Sequence, residues 1–411
     1  DISESRPRAR GRGRGTAVFP FRPIGRLERF VPMIELSSED SFRLNVLLAN
    51  KPQAVRIDES RMVVYGLSER GEAKVQLNPN CRDESYLRQV RETLSSHVLG
   101  SPGGYPVYLK RWTRMGQARD ETLESLLKLG EPEAVVAVVN APGITDELAR
   151  RAWWASQTSD NARCMLRQEA VVKGDMGPVL AEFLVEFLPF EEEASHQITS
   201  VRLVLQEGLI DAAERMRLWE KARHKNAYFV GFLQANPDEL PDQHAANPAW
   251  ESSCQQLAGL LQDGNPYAIQ LCRLLSPAGQ SYLSVVETVL KKPSNQDVMV
   301  ELMHALEQHA DSLSLREYTL DDIEDIVRVA DAMVDGKADA GGKSNQSLQR
   351  LLQVGPDSAH HVRAMLVLAL LGEAVLNPVF SRTDAIGTVM RKKLRPVTEP
   401  VHEQIGILKL P

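Results

Sequence analysis

Apolar residues recur at helical spacing along most of the chain, from about residue 117 to the end. An apolar residue at every third or fourth position predicts an amphipathic helix that buries one face. The pattern predicts helices over residues 121–129, 133–140, 146–155, 162–171, 177–188, 198–204, 210–222, 227–234, 250–261, 266–275, 281–291, 297–309, 320–334, 346–354, 359–372 and 385–394. Prolines follow the last of these helices, so we expect the helical pattern to end there.

The pattern is mixed in the first part of the chain, over about residues 31–112. The run Ser37-Ser-Glu-Asp40 is typical of a helix start, because a serine oxygen accepts a free amide and acidic residues favour the positive helix end. Alternating apolar and polar positions then predict short strands over 54–58, 62–66 and 73–77, with a hairpin turn at 69–72. A helix from Asp83 to Gly100 and a strand over 105–109 complete a small α+β module.

Two segments of the helical part are similar to each other. Residues 143–153 read Gly-Ile-Thr-Asp-Glu-Leu-Ala-Arg-Arg-Ala-Trp, and residues 208–219 read Gly-Leu-Ile-Asp-Ala-Ala-Glu-Arg-Met-Arg-Leu-Trp. Each has an Asp three positions after the Gly, and the Trp follows the Gly by ten residues in the first and eleven in the second. A second similarity, between 134–142 and 227–237, has a different offset. A recurring helical unit without a fixed period predicts an irregular helical scaffold of the kind that usually binds other molecules.

These patterns predict an α+β fold that is predominantly α, in which a small N-terminal α+β module precedes an irregular helical-repeat-like scaffold. We expect an Arg/Gly-rich disordered tail over residues 1–30, the α+β module over 31–115, a helical scaffold over 116–240 and a second helical region over 241–411. The polar, proline-flanked run from Leu240 to Pro248 favours the last boundary. The Gly-rich run near 336–345 is interpreted as a flexible linker.

Charge is distributed unevenly along the 411 residues. The net charge is −7, but residues 1–30 carry eight Arg against Asp1, Glu4 and Glu28 and sum to +5, which leaves −12 for the rest. An acidic body repels nucleic acid and anionic membranes, so the tail alone is a candidate for binding polyanions. Its candidate residues are Arg6, Arg8, Arg10, Arg12 and Arg14. A solubilising tail without a binding role is the alternative interpretation.

The apolar fraction of 43% and the charged fraction of 25% are typical of a soluble globular protein. No apolar run approaches the length that spans a bilayer, and no secretory signal pattern is visible, so we expect a cytoplasmic protein without membrane insertion. The four cysteines, Cys81, Cys164, Cys254 and Cys272, are scattered and without ligand spacing. We interpret them as reduced thiols, mostly buried.

No motif of a catalytic, cofactor or metal site stands out. The run Gly341-Gly-Lys-Ser344 resembles the end of a phosphate-binding loop, but the Gly required six residues before the Lys is absent. Gly100-Ser-Pro-Gly-Gly104 follows a helix, whereas anion-binding loops precede one. The spacing of five between His304 and His309 turns the rings apart, as does the adjacency of His360 and His361. We therefore assign no catalytic residue, no cofactor and no metal.

The tryptophans of the two similar segments are the candidates for partner binding. Trp153, Trp154 and Trp219 lie on helices, and an exposed tryptophan is a frequent anchor of protein interfaces. Trp153 and Trp154 are adjacent, so one of them is expected to face inward and the other to lie nearer the surface. Packing between helices is the alternative role for these rings.

Several strings of the first 240 residues resemble the DsrS family, proteins encoded beside the reverse-acting dissimilatory sulfite reductase of sulfur-oxidising bacteria. The strings are Ser41-Phe-Arg-Leu-Asn-Val-Leu-Leu-Ala-Asn50, Ile57-Asp-Glu-Ser-Arg-Met-Val-Val-Tyr-Gly-Leu-Ser68, Gly100-Ser-Pro-Gly-Gly-Tyr-Pro-Val-Tyr-Leu109, Leu129-Gly-Glu-Pro-Glu-Ala-Val135, Leu148-Ala-Arg-Arg-Ala-Trp-Trp154 and Gly177-Pro-Val-Leu-Ala-Glu-Phe-Leu-Val-Glu-Phe-Leu-Pro-Phe190. The resemblance covers about residues 36–240 well and the rest loosely. It implies an accessory or regulatory role in the cytoplasmic oxidation of stored sulfur and brings no catalytic residues with it.

We therefore expect a non-enzymatic accessory protein that binds protein partners of the sulfur-oxidation system. One alternative is a post-transcriptional regulator that binds RNA through the Arg/Gly-rich tail. A second alternative is an enzyme of unknown chemistry, which would require a deep pocket with strongly perturbed titratable groups.

Overall fold

The structure, a computed structural model, describes residues 36–105, 120–315, 320–337, 343–355, 358–382 and 385–409. It confirms the predicted fold class, since about 67% of the described residues are helical and a small antiparallel sheet lies near the N-terminus. The predicted tail over residues 1–30 lies outside the described residues, as do residues 106–119 and 338–342.

The N-terminal module begins with α1 (Ser38–Ala49), and the Ser37 side chain caps this helix by accepting the N–H of Asp40 at 3.2 Å. The strands β1 (Ala54–Asp58), β2 (Val63–Ser68) and β3 (Gly71–Gln76) form an antiparallel sheet in the order β1-β2-β3. Ser68 pairs with Gly71 across the predicted hairpin turn. Gly71 has a φ of +114°, a backbone conformation that favours glycine.

Helix α2 (Asp83–Leu99) packs on the same sheet face as α1 and ends at Gly100, whose φ of +68° is that of a left-handed helix cap. The two helices and the sheet enclose a small core of their own. Its buried members are Leu44, Leu47, Leu48, Val55, Met62, Val64, Val75, Leu77, Tyr86, Leu87, Val90 and Leu94. The prediction of a strand over 105–109 is wrong for Tyr105, which is helical together with Gly104. Residues 106–109 lie outside the described residues.

The scaffold is built of helices joined by short connections. They are α3 (Asp120–Leu126), α4 (Pro132–Val139), α5 (Asp146–Ala155), α6 (Ser159–Met165), α7 (Glu169–Val172), α8 (Met176–Phe187), α9 (Ala194–Val204), α10 (Ala212–Ala222), α11 (Asn226–Ala235), α12 (Trp250–Gln256), α13 (Ala258–Gln262), α14 (Pro266–Leu275), α15 (Pro277–Lys291), α16 (Gln296–His309), α17 (Ile323–Val334), α18 (Lys343–Val354), α19 (Ala359–Ala369), α20 (Asn377–Phe380) and α21 (Gly387–Lys409). Most agree with the predicted helices within a few residues. The predicted helix over 162–171 is instead two helices, α6 and α7, and the predicted helix over 250–261 is divided into α12 and α13 at Leu257.

One apolar core continues through this scaffold from Leu123 to Leu408. It passes the predicted boundary at residue 240, where the buried Asn247 donates its side-chain N–H to the carbonyl of Leu408 at 2.9 Å. The described core has no break at residue 240. The division of the scaffold into 116–240 and 241–411 therefore stays a prediction. The predicted linker near 336–345 ends sooner than expected, since α18 begins at Lys343.

The last helix is longer than the sequence predicted. Residues 385–394 were expected to be helical and the prolines to end the helix, but α21 runs through Pro396 and Pro400 to Lys409. Its second half buries Val401, Ile405 and Leu408 completely or almost so, against α15 and α19. Burial of this apolar face offsets the hydrogen bonds that the two prolines remove.

Candidate partner-binding surface

The structure places two of the three candidate tryptophans in the core. Trp153 on α5 is 7% exposed and meets the ring of Phe183 edge to face, with 4.7 Å between ring centroids. Trp219 on α10 is fully buried and meets Phe229 and Phe232 in the same geometry, at 4.9 Å each. Both rings are therefore already covered by the protein itself, and Trp219 has no surface left for a partner.

Trp154 joins the α+β module to the scaffold. Its indole N–H donates to a carboxylate oxygen of Glu72 on β3 at 2.9 Å. The guanidinium of Arg56 lies 5.0 Å from the Trp154 ring centroid and 4.6 Å from that of Tyr65, and it also pairs with Glu72 at 3.3 Å. Of the two adjacent tryptophans, Trp153 faces the core and Trp154 lies nearer the surface, where it makes an intramolecular contact.

The five candidate polyanion-binding residues, Arg6, Arg8, Arg10, Arg12 and Arg14, lie outside the described residues. Their predicted role therefore stays a prediction.

A row of aromatic rings continues outward from Trp153 along α8 and ends at the surface. We call Trp153, Phe183, Phe187 and Phe190 the aromatic ladder. Phe183 and Phe187 are stacked with 5.9 Å between centroids, and Phe187 lies 6.3 Å from Phe190. Phe183 and Phe187 are half-buried, whereas Phe190 is 75% exposed. The ladder therefore leads from the core to the surface.

The ladder begins at the core, where Phe183 packs against Trp153, and continues along a face of α8 that differs from the fully buried one. Val179, Phe183 and Phe187 follow each other at intervals of four residues, while the core side of the helix carries Leu180 and Leu184. A helix that presents apolar side chains on both faces is expected where a second surface covers the outer one. No role is predicted for these phenylalanines from the sequence, although their spacing of four is a signal of a second apolar helix face.

Exposed carboxylates border the ladder. Glu182 and Glu186 directly precede Phe183 and Phe187 on α8, and Glu192 and Glu193 follow Phe190. Aromatic rings that are rigid and partly exposed make strong contacts with partner proteins, since they bury a large area at a low cost in conformational entropy. The acidic border complements a partner surface that carries basic residues around an apolar centre.

A strongly perturbed titratable group lies elsewhere, in the core of the scaffold. His309 is buried, its ring stacks on that of Tyr282 at 4.0 Å, and a hydrogen bond of 2.9 Å joins its Nδ1 to the Gln270 amide. Burial, aided by the charge of Arg273, lowers the pKa of His309 to about 3.

Asp238 forms two hydrogen bonds of 2.7 Å with Arg273. Burial acts to raise the pKa of Asp238, but the interaction with Arg273 outweighs it and the pKa is lowered. The Nε2 atom of His309 is buried without a hydrogen-bond partner among the described residues, and neither His309 nor the Asp238–Arg273 pair lines a described groove.

Within the described parts of the chain, no group of three or more His, Cys, Asp or Glu residues has the arrangement of a metal site. All four cysteines are free, and Cys272 is buried while the others are half-buried. Burial and a hydrogen bond with Cys254 raise the pKa of the Cys272 thiol. No single helix of the described residues is long and apolar enough to cross a membrane, although one pair, Ala359–Ala369 with Glu373–Phe380, bent by 78°, has the length and composition.

No protein-family model, curated protein or solved structure matches the chain.

Proposed function

We propose that the protein is a non-enzymatic accessory protein of the cytoplasmic oxidation of stored sulfur, and that it acts by binding protein partners. The sulfur-oxidation context rests on the resemblance of residues 36–240 to the DsrS family. The mode of action rests on the aromatic ladder, which is the observation that carries the proposal.

The ladder has the features of an interface anchor. Phe190 exposes its ring at the surface and Phe187 exposes part of its ring, while Phe183 is held from beneath by Trp153. A ring that is held in place before binding loses little side-chain entropy when a partner covers it. Trp153 therefore contributes to binding by supporting the ladder from below, and the exposed phenylalanines make the contact.

The test is capture of defined proteins on the immobilised full chain from an extract of a sulfur-oxidising bacterium, with identification of the subunits of the reverse-acting sulfite reductase system by mass spectrometry. We expect at least one of them to be retained at low salt. The double variant Phe187→Ser/Phe190→Ser should lose most of this capture, since hot-spot aromatic residues contribute about 2 kcal/mol or more each.

A matched control is available at the other end of the chain. Ile386 and Val389 are 72% and 55% exposed, so Ile386→Ser/Val389→Ser removes a similar exposed apolar area without touching the ladder. This control should retain full capture. Recovery of no sulfur-oxidation protein would contradict the proposed function. Equal capture by the two double variants would show that the aromatic ladder is not the binding surface.

The Arg/Gly-rich tail supports RNA binding as a second candidate function, because its composition suits contact with a polyanion without sequence readout. Filter binding of the transcript of the sulfite reductase operon, with and without residues 1–30, separates the two functions. Retention of RNA by the full chain alone, weakened by added salt, would favour RNA regulation. Absence of retention, or retention that is independent of salt, would exclude it.

A further inference from the structure

A groove of about 950 Å³ runs between α1 and β3 on the α+β module. Its apolar wall is formed by Phe42 and Val46, which lie one turn apart on α1 and are 69% and 47% exposed. The opposite wall is β3, where Ala73 and Lys74 are exposed. The two most exposed apolar side chains of α1 therefore stand beside a strand and are covered by no described residue.

The strand that borders the groove has an open edge. The N–H of Leu77 donates to the carbonyl of Met62 at 2.9 Å, which fixes the alternation of hydrogen bonds along the β2–β3 pair. By that alternation, the backbone N–H and C=O groups of Glu72, Lys74 and Gln76 point away from β2. Within the described residues no strand lies on that side of β3, since the sheet order is β1-β2-β3. An open strand edge of this kind is a template for pairing with another extended chain.

The charge of the groove identifies the chemistry of its occupant. Arg43, Arg61 and Lys74 line it, and its described lining includes no carboxylate. Arg43 also pairs with Glu39 on α1, and Arg61 lies 3.8 Å from Asp58, whereas Lys74 takes part in no described ion pair. Arg61 leaves 77% of its side chain exposed. Nearer the hairpin turn the charges balance, because Glu69 and Glu72 accompany Lys51 and Arg70. The wide part of the groove therefore attracts an acidic chain, and it repels the first 30 residues of this protein, which sum to +5.

We propose that this groove binds an extended, acidic segment of another protein, which adds to the sheet as a further strand beside β3. The backbone of the added strand would pair with the free groups of Glu72, Lys74 and Gln76. Alternate side chains of that strand point to the same face, so its apolar residues would contact Phe42 and Val46. Its carboxylates would meet Arg43, Arg61 and Lys74. The groove and the aromatic ladder share no residues, so an experiment can contradict the proposal for one site without affecting the proposal for the other.

The probe for this site is a short fluorescein-labelled peptide that alternates valine with glutamate, titrated with the full chain and followed by fluorescence anisotropy. The reference probe has the same length and alternates valine with lysine. We expect saturable binding of the glutamate peptide that weakens with added salt, and binding of the lysine peptide that is weaker by about tenfold or more.

Two pairs of variants test the geometry. Lys74→Pro removes an N–H that points away from β2, so strand pairing within the module is retained while the donor to the peptide is lost. It should weaken binding by about tenfold or more, whereas Lys74→Gln, which removes only the charge, should weaken it by about twofold to fivefold. Phe42→Ser should also weaken binding, and Phe42→Leu should not. Because Phe42 is exposed, this second pair remains decisive if Lys74→Pro perturbs the fold.

Equal affinity for the two peptides would overturn the proposal. Unchanged affinity of Phe42→Ser, with a circular dichroism spectrum like that of the unmodified chain, would overturn it as well. A third arm removes residues 1–30. If that deletion strengthens binding of the glutamate peptide by about tenfold, the chain's own tail occupies the groove and the proposed partner is wrong; a change within about twofold supports the proposal.

Discussion

Thr145 and Asp211 occupy the same structural position in the two similar segments of the scaffold. Thr145 accepts the N–H of Leu148 at 3.2 Å and begins α5, and Asp211 accepts the N–H of Glu214 at 2.7 Å and begins α10. Each precedes its buried tryptophan by eight residues. Gly143 and Gly208, before them, have φ values of +83° and +81°. The segments are thus structurally equivalent from the cap to the tryptophan, and one additional residue before Asp211 accounts for the difference in the spacing from Gly to Trp.

This equivalence predicts equal losses of stability when either cap is removed. Thr145→Ala and Asp211→Ala should each lower the free energy of unfolding by about 1 kcal/mol, because each leaves an amide of the first helical turn without its acceptor. Urea denaturation followed by tryptophan fluorescence measures both. Thr145→Ser and Asp211→Asn keep a capping oxygen and should lower the free energy of unfolding by less than half as much. Alanine variants with an unchanged free energy of unfolding would contradict the assignment of Thr145 and Asp211 as helix caps.

Asp146 aligns with Asp211 in sequence but performs a different task. Its carboxylate accepts the N–H groups of Asp175 at 3.2 Å and Met176 at 3.0 Å, where α8 begins. Asp146→Ala leaves both amides without this acceptor, so we expect a loss of about 2 kcal/mol, larger than that of Thr145→Ala. The same denaturation experiment measures it. A loss no larger than that of Thr145→Ala would show that solvent replaces the carboxylate at the start of α8.

The contact between Trp154 and Glu72 should stabilise the docking of the α+β module on the scaffold. Trp154→Phe keeps a ring beside Arg56 but removes the indole donor, and Glu72→Gln weakens the acceptor. In a double-mutant cycle we expect the two changes to be coupled by about 0.5–1 kcal/mol, since the pair is partly exposed to solvent. Glu69→Gln, on the adjacent turn, is the matched control and should show no coupling to Trp154→Phe.

Much of the fold was predictable from local pattern. Ser37 marks the first helix and Gly100 ends the second, because capping and left-handed glycine depend on residues close in sequence. The continuation of α21 through Pro396 and Pro400 was not predictable, because it depends on burial against helices that are distant in sequence. Local propensity favours an end at the prolines, and tertiary packing opposes it.

The candidate site was harder to predict than the fold. Trp153 and Trp219 are candidates in the sequence because tryptophan is common in interfaces, but which rings are covered depends on neighbouring helices that local pattern does not place. Phe183 and Phe187 follow Val179 at a spacing of four and could have been identified as a second apolar face of α8. Prediction of the groove beside β3 requires knowledge that β3 is an edge strand, and this strand order does not follow from local sequence pattern.

The buried His309 predicts how stability depends on pH between about 4.5 and 6.5. The unfolded chain protonates this imidazole near pH 6.5, whereas the folded chain does so only near pH 3. The unfolded state therefore binds the extra proton over this interval, and the free energy of unfolding falls as the pH is lowered from about 6.5 toward 3, with no effect of this group above that range. Its slope approaches about 1.4 kcal/mol per pH unit for one proton.

His309→Gln should flatten this slope, as measured by urea denaturation at several pH values between 4.5 and 6.5, whatever its effect on stability at neutral pH. Glu147 and Glu287, whose pKa values are lowered to about 2 by hydrogen bonds with arginine and lysine partners that outweigh burial, lose their contribution only below about pH 4.5. His402, whose pKa is also lowered by burial, contributes in the same direction. His402→Gln is therefore the matched comparison, and because His402 is less buried than His309 we expect it to remove the smaller part of the slope. A slope that survives in His309→Gln would mean that the folded protein admits the proton at this site.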